Sequence, residues 1–335
     1  MAEDIRLTVG GKIWTGWESV TIRTGVEFLA GAFSLNVGSQ WQGMMGTDQL
    51  CALSLGERPL VNGYLDKLHS VNDTDQQSRQ LQGWDRAADL SACTVEPAQF
   101  RNSNLLAIIN AIGQPFGVTA TSQLPLQPVR RFDLFPGETG SEALDRLGRT
   151  CAVLIFSNGL GQLQVTRGRS AVRSQTALVE GENIVSSELR VDRTQRFSHY
   201  QALGQLAGMS DELAPAQRFA IAGEARDRQI KRHRPFTLLS ESSVDNAQCQ
   251  RRAQWQAAVA AARGWRLLVR VKGWTGIKGE LWRPWVNVPV RSGWHGIDET
   301  LLVIGCTYTG SRSARFTDLE LVRADAYELQ PDRSD

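Results

Sequence analysis

Apolar and polar residues alternate with a period of two through most of residues 1–90, and this pattern constrains the fold more than any other feature. Ile5–Val9 alternates in this way, and Gly10–Gly11 then turns the chain into a second short run. Such runs, separated by Gly- and Pro-bearing breaks, are typical of an antiparallel sheet with one solvated face. The pattern therefore predicts a β-barrel or β-sandwich, with strands in the segments 5–9, 12–14, 20–23, 33–37, 50–55 and 60–65.

The middle of the chain has helical periodicity. Ser103 precedes an apolar stripe at i, i+3, i+4 and i+7, and Gly113 stands where a left-handed helix cap belongs. Thr139 and Glu142 match a capping box for a second helix, which we expect to end at Gly148. Strand-like segments around these helices predict a small α+β domain, with strands near 152–156 and 162–166.

The last third returns to strands and contains one long helix. Ser242 and Asp245 are candidate caps for a helix from Val244 to Arg263, and Gly264 closes it. Strand-like segments follow at 265–271, 285–290, 301–309 and 316–322. The fold class is α+β and mainly β. We expect a first β-domain over 1–97, an inserted α+β domain over 98–177, a second β-domain over 178–328 that includes the helix at about 243–263, and a frayed tail over 329–335.

Composition excludes several classes of protein. Lys and Arg number 37 and Asp and Glu number 35, and a net charge of +2 does not fit a chain that coats nucleic acid by bulk charge. No run of about 18 apolar residues is present, so we expect no membrane insertion. The N-terminus lacks the pattern of a secretory signal, and we expect synthesis in the cytoplasm.

No motif in the sequence predicts catalysis. The five cysteines are dispersed and the four histidines stand far apart, so neither a metal site nor a cofactor site is expected. Gly159-Leu160-Gly161 fits a hairpin turn better than a phosphate-binding loop. Asp85 and Asp89 stand four residues apart; we expect them to share a helix face and to cap locally. A catalytic triad assembled from distant positions stays open.

A basic run is the first of two features that stand out. It contains Arg226, Arg228, Lys231, Arg232, His233 and Arg234. These residues suit contact with a phosphate backbone or with an acidic partner. They also suit a solvated loop or strand face, since alternate residues of a strand share one side.

The second feature is tryptophan. Six of the ten tryptophans follow residue 254, and four of them lie in the turn-rich segment 273–296: Trp274, Trp282, Trp285 and Trp294. Trp is enriched at protein interfaces because it buries a large rigid area while keeping a polar group. Core packing is the alternative for each one, but for the group we predict a protein interface.

The order of the segments resembles the baseplate hub proteins of contractile-tailed phages, in particular the tail proteins of Mu-like phages. One stretch, Leu81–Leu90, is similar to the family's G-R-D-x-x-D-L motif, with Trp84 in place of the usual Arg. The other segments that carry the resemblance are Pro59–Asp66, Phe135–Thr139, Glu182–Ile184 before Arg193–Gln201, and Gly264–Trp274 running on to Leu319–Tyr327.

The resemblance implies a structural protein and not an enzyme. It implies a homotrimer in which each chain gives two tail-tube-like β-barrel domains, forming a pseudo-hexameric ring around a channel through which DNA passes without specific binding. The partners implied are the spike, the tail tube, the baseplate wedges and the tape measure protein, in the virion baseplate and, during assembly, in the host cytoplasm. The alternatives are the hub of a contractile secretion or bacteriocin particle, a tail-associated cell-wall hydrolase and a glycan-binding module.

Overall fold

A computed structural model describes residues 5–38, 46–74, 77–204, 221–239 and 245–329. The described residues form a mainly β protein with four α-helices. The N-terminal strands are β1 (Ile5–Val9), β2 (Lys12–Trp14), β3 (Ser19–Gly25), β4 (Ala32–Gly38), β5 (Gln49–Leu55), β6 (Arg58–Asn72) and β7 (Gln77–Asp85). The predicted strands in this region are confirmed, although β6 runs on to Asn72 and β7 had no prediction of its own.

A second, α+β region follows β7. Its elements are α1 (Asp89–Ala92), β8 (Ala98–Ser103), α2 (Leu105–Gly113), β9 (Thr119–Ser122), β10 (Val129–Leu134), α3 (Gly140–Cys151), β11 (Leu154–Ser157) and β12 (Gln162–Thr166). The apolar stripe of α2 packs with the buried face of α3, where Ile108, Ile109 and Leu147 lie in one core cluster. This region therefore has a hydrophobic core of its own.

The rest of the chain returns to the large sheet. Its elements are β13 (Val172–Arg173), β14 (Leu178–Val179), β15 (Ile184–Val191), β16 (His199–Gly204), β17 (Ile221–Arg226), β18 (Pro235–Leu239), α4 (Asn246–Arg263), β19 (Trp265–Lys272), β20 (Val286–Ser292), β21 (Ile297–Ser311) and β22 (Arg315–Arg323). The four strands predicted after the long helix are confirmed. The polar tail from residue 330 and the proposed cap Ser242 lie outside the described residues.

One sheet of 14 strands joins the N-terminal and C-terminal regions, in the order β15-β19-β22-β21-β3-β4-β7-β6-β5-β1-β2, with β20, β13 and β14 attached beside β21. The connection between the regions is the antiparallel pairing of β3 with β21. Residues from both regions, including Leu35 and Leu319, bury their side chains in a single core cluster. Two separate barrels were expected from the resemblance; in the described residues the strands form this continuous sheet and no closed ring of paired strands.

A separate sheet of three strands, β17-β16-β18, packs against α4. Tyr200 and Ala202 of β16 and the alanine-rich face of α4 form its small core. The predicted cap of α4 is confirmed: the Asp245 carboxylate accepts a hydrogen bond from the Gln248 N–H at 2.8 Å, and the Gln248 side-chain oxygen accepts one from the Asp245 N–H at 2.9 Å.

The ends of two helices differ from the prediction. Asn104, not Ser103, caps α2, and its side chain accepts from the Leu106 N–H. Gly113 is right-handed, because the chain continues through a 3₁₀ turn to the left-handed Gly117. A Cβ at Gly113 would lie 2.5 Å from the Val118 carbonyl oxygen, so close packing requires this glycine.

The capping box at the start of α3 is confirmed, but the helix does not end at Gly148. It continues to Cys151, and Ala152 adopts the left-handed conformation that terminates it. A Cβ at Gly148 would lie 2.9 Å from the Val153 carbonyl oxygen. The prediction that a glycine is needed at this position is correct, but its role is different. Gly148 allows the Val153 backbone to pack closely against the helix, and it does not cap the helix.

Candidate assembly surfaces

Three of the four tryptophans predicted at interfaces lie in the interior of the chain. Trp274, Trp282 and Trp285 are 2%, 4% and 8% exposed. The Trp274 indole N–H donates to the Thr309 carbonyl at 3.0 Å, and the Trp285 indole N–H donates to the Ser170 hydroxyl at 3.0 Å. These rings pack inside one chain and offer little exposed surface, so a place at or near subunit contacts stays a prediction for all three.

Trp294 differs from the other three and is 84% exposed. It lies in the tight turn between β20 and β21, where its backbone N–H donates to the Glu180 carboxylate at 3.0 Å. The Ser292 hydroxyl donates to the same carboxylate oxygen at 2.8 Å. These hydrogen bonds hold the pKa of Glu180 below its usual value, and the one from the Trp294 N–H has the largest effect. The carboxylate thus fixes a turn that presents a large apolar ring to solvent.

Two further exposed apolar side chains lie along the same side of β20. Ile277 is 79% exposed, and its backbone N–H donates to the Thr176 hydroxyl at 2.9 Å. Val172 is 69% exposed and lies in β13, which pairs with β20. We call Val172, Ile277 and Trp294 the apolar edge. Contiguous apolar patches are typical of protein contact surfaces, and these three side chains lie at separate positions along β20.

The basic run forms the connection between β17 and β18. Arg226, Arg228, Lys231 and Arg232 are exposed, and no ion pair is recorded for them among the described residues. Arg234 is half-buried: its guanidinium lies 5.3 Å from the centre of the Phe197 ring and donates to the Thr194 carbonyl at 2.6 Å. Arg234 therefore serves a contact within the chain, and we call the other four the basic loop.

A buried ion pair holds the basic loop in place, and sequence reasoning missed it. The guanidinium of Arg196 contacts the Asp227 carboxylate at 2.6 Å, and both side chains are at least nine-tenths buried. Arg196 also donates to the Gln229 side-chain oxygen at 3.0 Å. Neither residue lies in a recognisable motif, because the pair brings together two loops 31 positions apart. It connects the start of the basic loop to the loop before β16.

Asp85 is fully buried and serves the structure. It ends β7, and its carboxylate accepts from the Gly31 N–H at 2.6 Å and from the Ala87 N–H at 2.9 Å. Burial raises the pKa of Asp85 to about 6, against the lowering effect of these hydrogen bonds. The predicted local capping is confirmed. The predicted shared helix face with Asp89 is wrong, because Asp85 belongs to a strand and α1 begins at Asp89.

No cluster of metal-ligating side chains occurs in the described ranges. All five cysteines are free thiols, and burial raises the pKa of Cys51 to about 12. Within the same ranges, no helix is long and apolar enough to cross a membrane.

Three family models of phage baseplate proteins match successive parts of this chain. Residues 4–85 match the family model of the Mu phage baseplate assembly protein GpP-like N-terminal domain, and residues 87–167 match the second domain of gp44-like baseplate hub proteins. Residues 245–330 match the fourth domain of the Mu phage baseplate assembly protein GpP. The chain is 28% identical over 319 residues to the baseplate hub protein gp44 of Escherichia phage Mu, covering 91% of this chain and 83% of that protein.

The chain belongs to the baseplate hub proteins of Mu-like phages. Solved structures agree with this family. The 43 kDa tail protein of prophage MuSo2 from Shewanella oneidensis is 27% identical with a TM-score of 0.83, covering 98% of this chain and 100% of that one. A tail protein from Neisseria meningitidis, 20% identical, has the same fold with a TM-score of 0.82, covering 96% and 97%. This hub protein is a structural component of the phage tail baseplate, as the resemblance implied.

Proposed function

We propose that three copies of this hub protein form a ring that joins the six-fold tail tube to the three-fold spike. The observation that supports this proposal is a repeat of strand order within one chain. The N-terminal region places β4-β7-β6-β5 side by side, and the C-terminal region places β19-β22-β21-β20 side by side. Each series contains one long strand, and β6 and β21 are both 15 residues long.

The two long strands also share a local irregularity. The register of β6 with β7 shifts between Leu65 and Lys67, and the register of β21 with β22 shifts between Val303 and Gly305. Each shift falls near the middle of its strand, where a bulge bends the sheet. The two regions are therefore two copies of one strand arrangement, and three chains would supply six such units.

Six similar units on a three-fold axis match both neighbours of a baseplate hub. A ring contact must be heterologous, so two different surfaces of one chain have to be complementary. In this proposal the residues 1–97 and 178–328 form the two tail-tube-like domains, and the residues 98–177 form an outer domain. The spike, the tail tube, the baseplate wedges and the tape measure protein are the proposed partners.

The face of the large sheet that points away from the core supports a role in lining a DNA channel. Its central strands carry uncharged polar side chains: Thr21, Ser34, Asn36, Gln80, Gln82, Thr307 and Thr309. Of the charged residues beside them, Arg270 pairs with Asp318 at 2.6 Å, whereas Arg23 and Lys67 lie over the rings of Phe28 and Trp84. A surface with few cations holds phosphate weakly, which suits passage of DNA. Nanomolar binding of duplex DNA at physiological salt would contradict this part of the proposal.

The apolar edge and the basic loop are the surfaces we assign to neighbours in the baseplate. Trp294 supplies a rigid aromatic group of the kind that dominates binding energy at interfaces. The cations Arg226, Arg228, Lys231 and Arg232 suit an acidic neighbour or the wall of the channel. The proposed role is structural and needs no catalytic residues.

Light scattering at several protein concentrations tests the ring. Because one chain has a mass of 37.0 kDa, the proposal expects a species of about 111 kDa. The mass should approach this value as concentration increases. A mass of one chain at all concentrations, with and without a spike protein, would overturn the trimer.

A further inference from the structure

The junction between the two regions of this chain is a strand pairing with a defined register. β3 lies antiparallel to the part of β21 that follows the bulge, with Gly25 opposite Gly305 and Ser19 opposite Ser311. The side chains on the core side of this junction, such as Ile22 and Tyr308, are buried. The part of β21 before the bulge pairs with β20 instead. One long strand thus binds two different strands on the same side.

The strand repeat within the chain identifies which strands correspond to β3 and β21 on the other side of the repeat. β6 corresponds to β21, because both are long, carry a central bulge and precede the hairpin partners β7 and β22. β15 corresponds to β3, because β15 pairs with β19 as β3 pairs with β4. By this correspondence, a strand such as β15 should lie beside the part of β6 that follows the bulge.

Within one chain those two edges are open. The segment Lys67–Asn72 of β6 pairs with β7 on one side, and no described strand pairs with its other side. β15 pairs with β19 on one side, and no described strand pairs with its other side. The side chains there are more exposed than their counterparts at the closed junction: Val191 is 55% exposed, whereas Cys306 and Tyr308 are buried.

We propose that β15 of one copy adds to β6 of the next copy along Lys67–Asn72, forming between chains the junction that β3 and β21 form within a chain. This inference depends on the proposed trimeric ring and identifies its contact. Three junctions within chains and three between chains would then alternate around the ring. The contact is heterologous, as closure by rotation requires.

The repeat also predicts the register of the new pairing. Thr24 is opposite Cys306 and Arg23 is opposite Thr307 in the closed junction. We align β15 with β3 and β6 with β21 by their registers with the neighbouring strands. In this alignment Val191 takes the place of Thr24 and Leu68 that of Cys306. The repeat therefore places Val191 opposite Leu68 of the neighbour and Arg190 opposite its His69. Val191 and Leu68 both point to the core side of the sheet, so the apolar core would continue across the junction.

Elementary chemistry favours a second copy as the occupant of these edges. An edge strand presents unpaired N–H and C=O groups, and an added strand satisfies them. The sheet of one copy supplies both the donor strand and the acceptor edge. The pairing already present between β3 and β21 shows that these two types of strand fit each other in this protein.

Disulfide trapping tests the register. In a Cys93→Ser background, which removes the exposed thiol, the pair Leu68→Cys and Val191→Cys is oxidised with copper phenanthroline. Residues directly opposite in antiparallel strands have Cβ atoms about 4.5–5.5 Å apart, which is close to disulfide range. The expected result is a shift from the one-chain band to two- and three-chain bands in gels without reductant, reversed by reductant.

Matched controls separate the possible outcomes. Each single cysteine variant should remain in the one-chain band. The pair His69→Cys and Val191→Cys should do the same, because adjacent residues of a strand point to opposite faces. A wild-type trimer without cross-linking of the Leu68–Val191 pair, or with equal cross-linking of the His69–Val191 pair, overturns this inference and leaves the ring intact. A wild-type protein that never forms a trimer overturns both.

Discussion

The closed junction between β3 and β21 and the open edges of β15 and β6 have the same geometry and different side chains. Tyr308 is buried at the closed junction, and the corresponding residue of β6 is Ser70, which is exposed. His69 and Asn72 of β6 are also exposed, whereas Leu68 and Val71 are half-buried. Long apolar edges lead to aggregation. The open edge is therefore polar at Ser70, where the closed junction is apolar, and it keeps apolar side chains at Leu68 and Val191 for the predicted contact.

The largest expected effect contrasts these two positions directly. Tyr308→Ala should reduce the free energy of unfolding by about 3–5 kcal/mol, because it removes a buried ring that packs on Trp274 and leaves the Trp282 carbonyl without its hydroxyl partner. The matched change Ser70→Ala should alter it by less than about 0.5 kcal/mol. Urea denaturation measures both. An equal loss in the free energy of unfolding for both variants would contradict the difference in burial between Tyr308 and Ser70.

A second prediction concerns pH and another pair of corresponding positions. Asp85 ends β7, and Arg323 holds the matching place in β22, where it lies 5.1 Å from the Trp265 ring. Because burial raises the pKa of Asp85 from 3.8 to about 6, the folded chain holds a proton that the unfolded chain has released between these values. Stability from this group is therefore present at low pH and is lost as pH rises through about 6, by up to about 3 kcal/mol.

Urea denaturation of wild type and Asp85→Asn at pH 4.5 and pH 7 measures this effect. The stability of wild type relative to the variant should be greater at the lower pH, since the Asn side chain does not titrate. Arg323→Gln is the matched control, and its difference from wild type should not change with pH. Parallel profiles for wild type and Asp85→Asn would contradict the buried, proton-binding carboxyl.

The smallest effect on stability is expected at the edge strand. Val191→Lys should change the free energy of unfolding by less than about 0.5 kcal/mol, because the side chain is largely solvated in one chain. The same change should lower the trimer fraction in light scattering, because it places a charge in the proposed apolar contact with Leu68. Val185→Lys, at the other end of β15 and outside the predicted register, is the control. An equal loss of trimer in both variants would contradict the register.

The sequence alone predicted the strands in which one face is buried and the other is exposed to solvent. Ile5–Val9 and Ala32–Gly38 alternate cleanly, and both were predicted. The strands β7 and β15 were not predicted, because QSRQLQGWD and IVSSELRV contain polar residues on both faces. Those faces are polar since β15 has an open edge and the outer face of β7 is solvated. The polar residues that weaken the alternation of apolar and polar side chains therefore lie on the surfaces that we assign to assembly.

The candidate contact residues show a different limit. Trp274 and Trp294 both follow a glycine in a turn, yet one is buried and the other is exposed. Their difference depends on strands far away in the sequence, since Thr309 accepts from the Trp274 indole and Glu180 fixes the Trp294 turn. No local pattern carries that information. The Arg196–Asp227 pair was missed for the same reason.

Hydrogen–deuterium exchange of the trimer tests the central claim most directly, because it compares the two junctions in one sample. The account predicts that the backbone amides of β15 and of Lys67–Asn72 exchange about as slowly as those of β3, since all three would lie inside paired sheet. Rapid exchange in β15 and Lys67–Asn72, alongside slow exchange in β3 of the same trimer, would contradict the account.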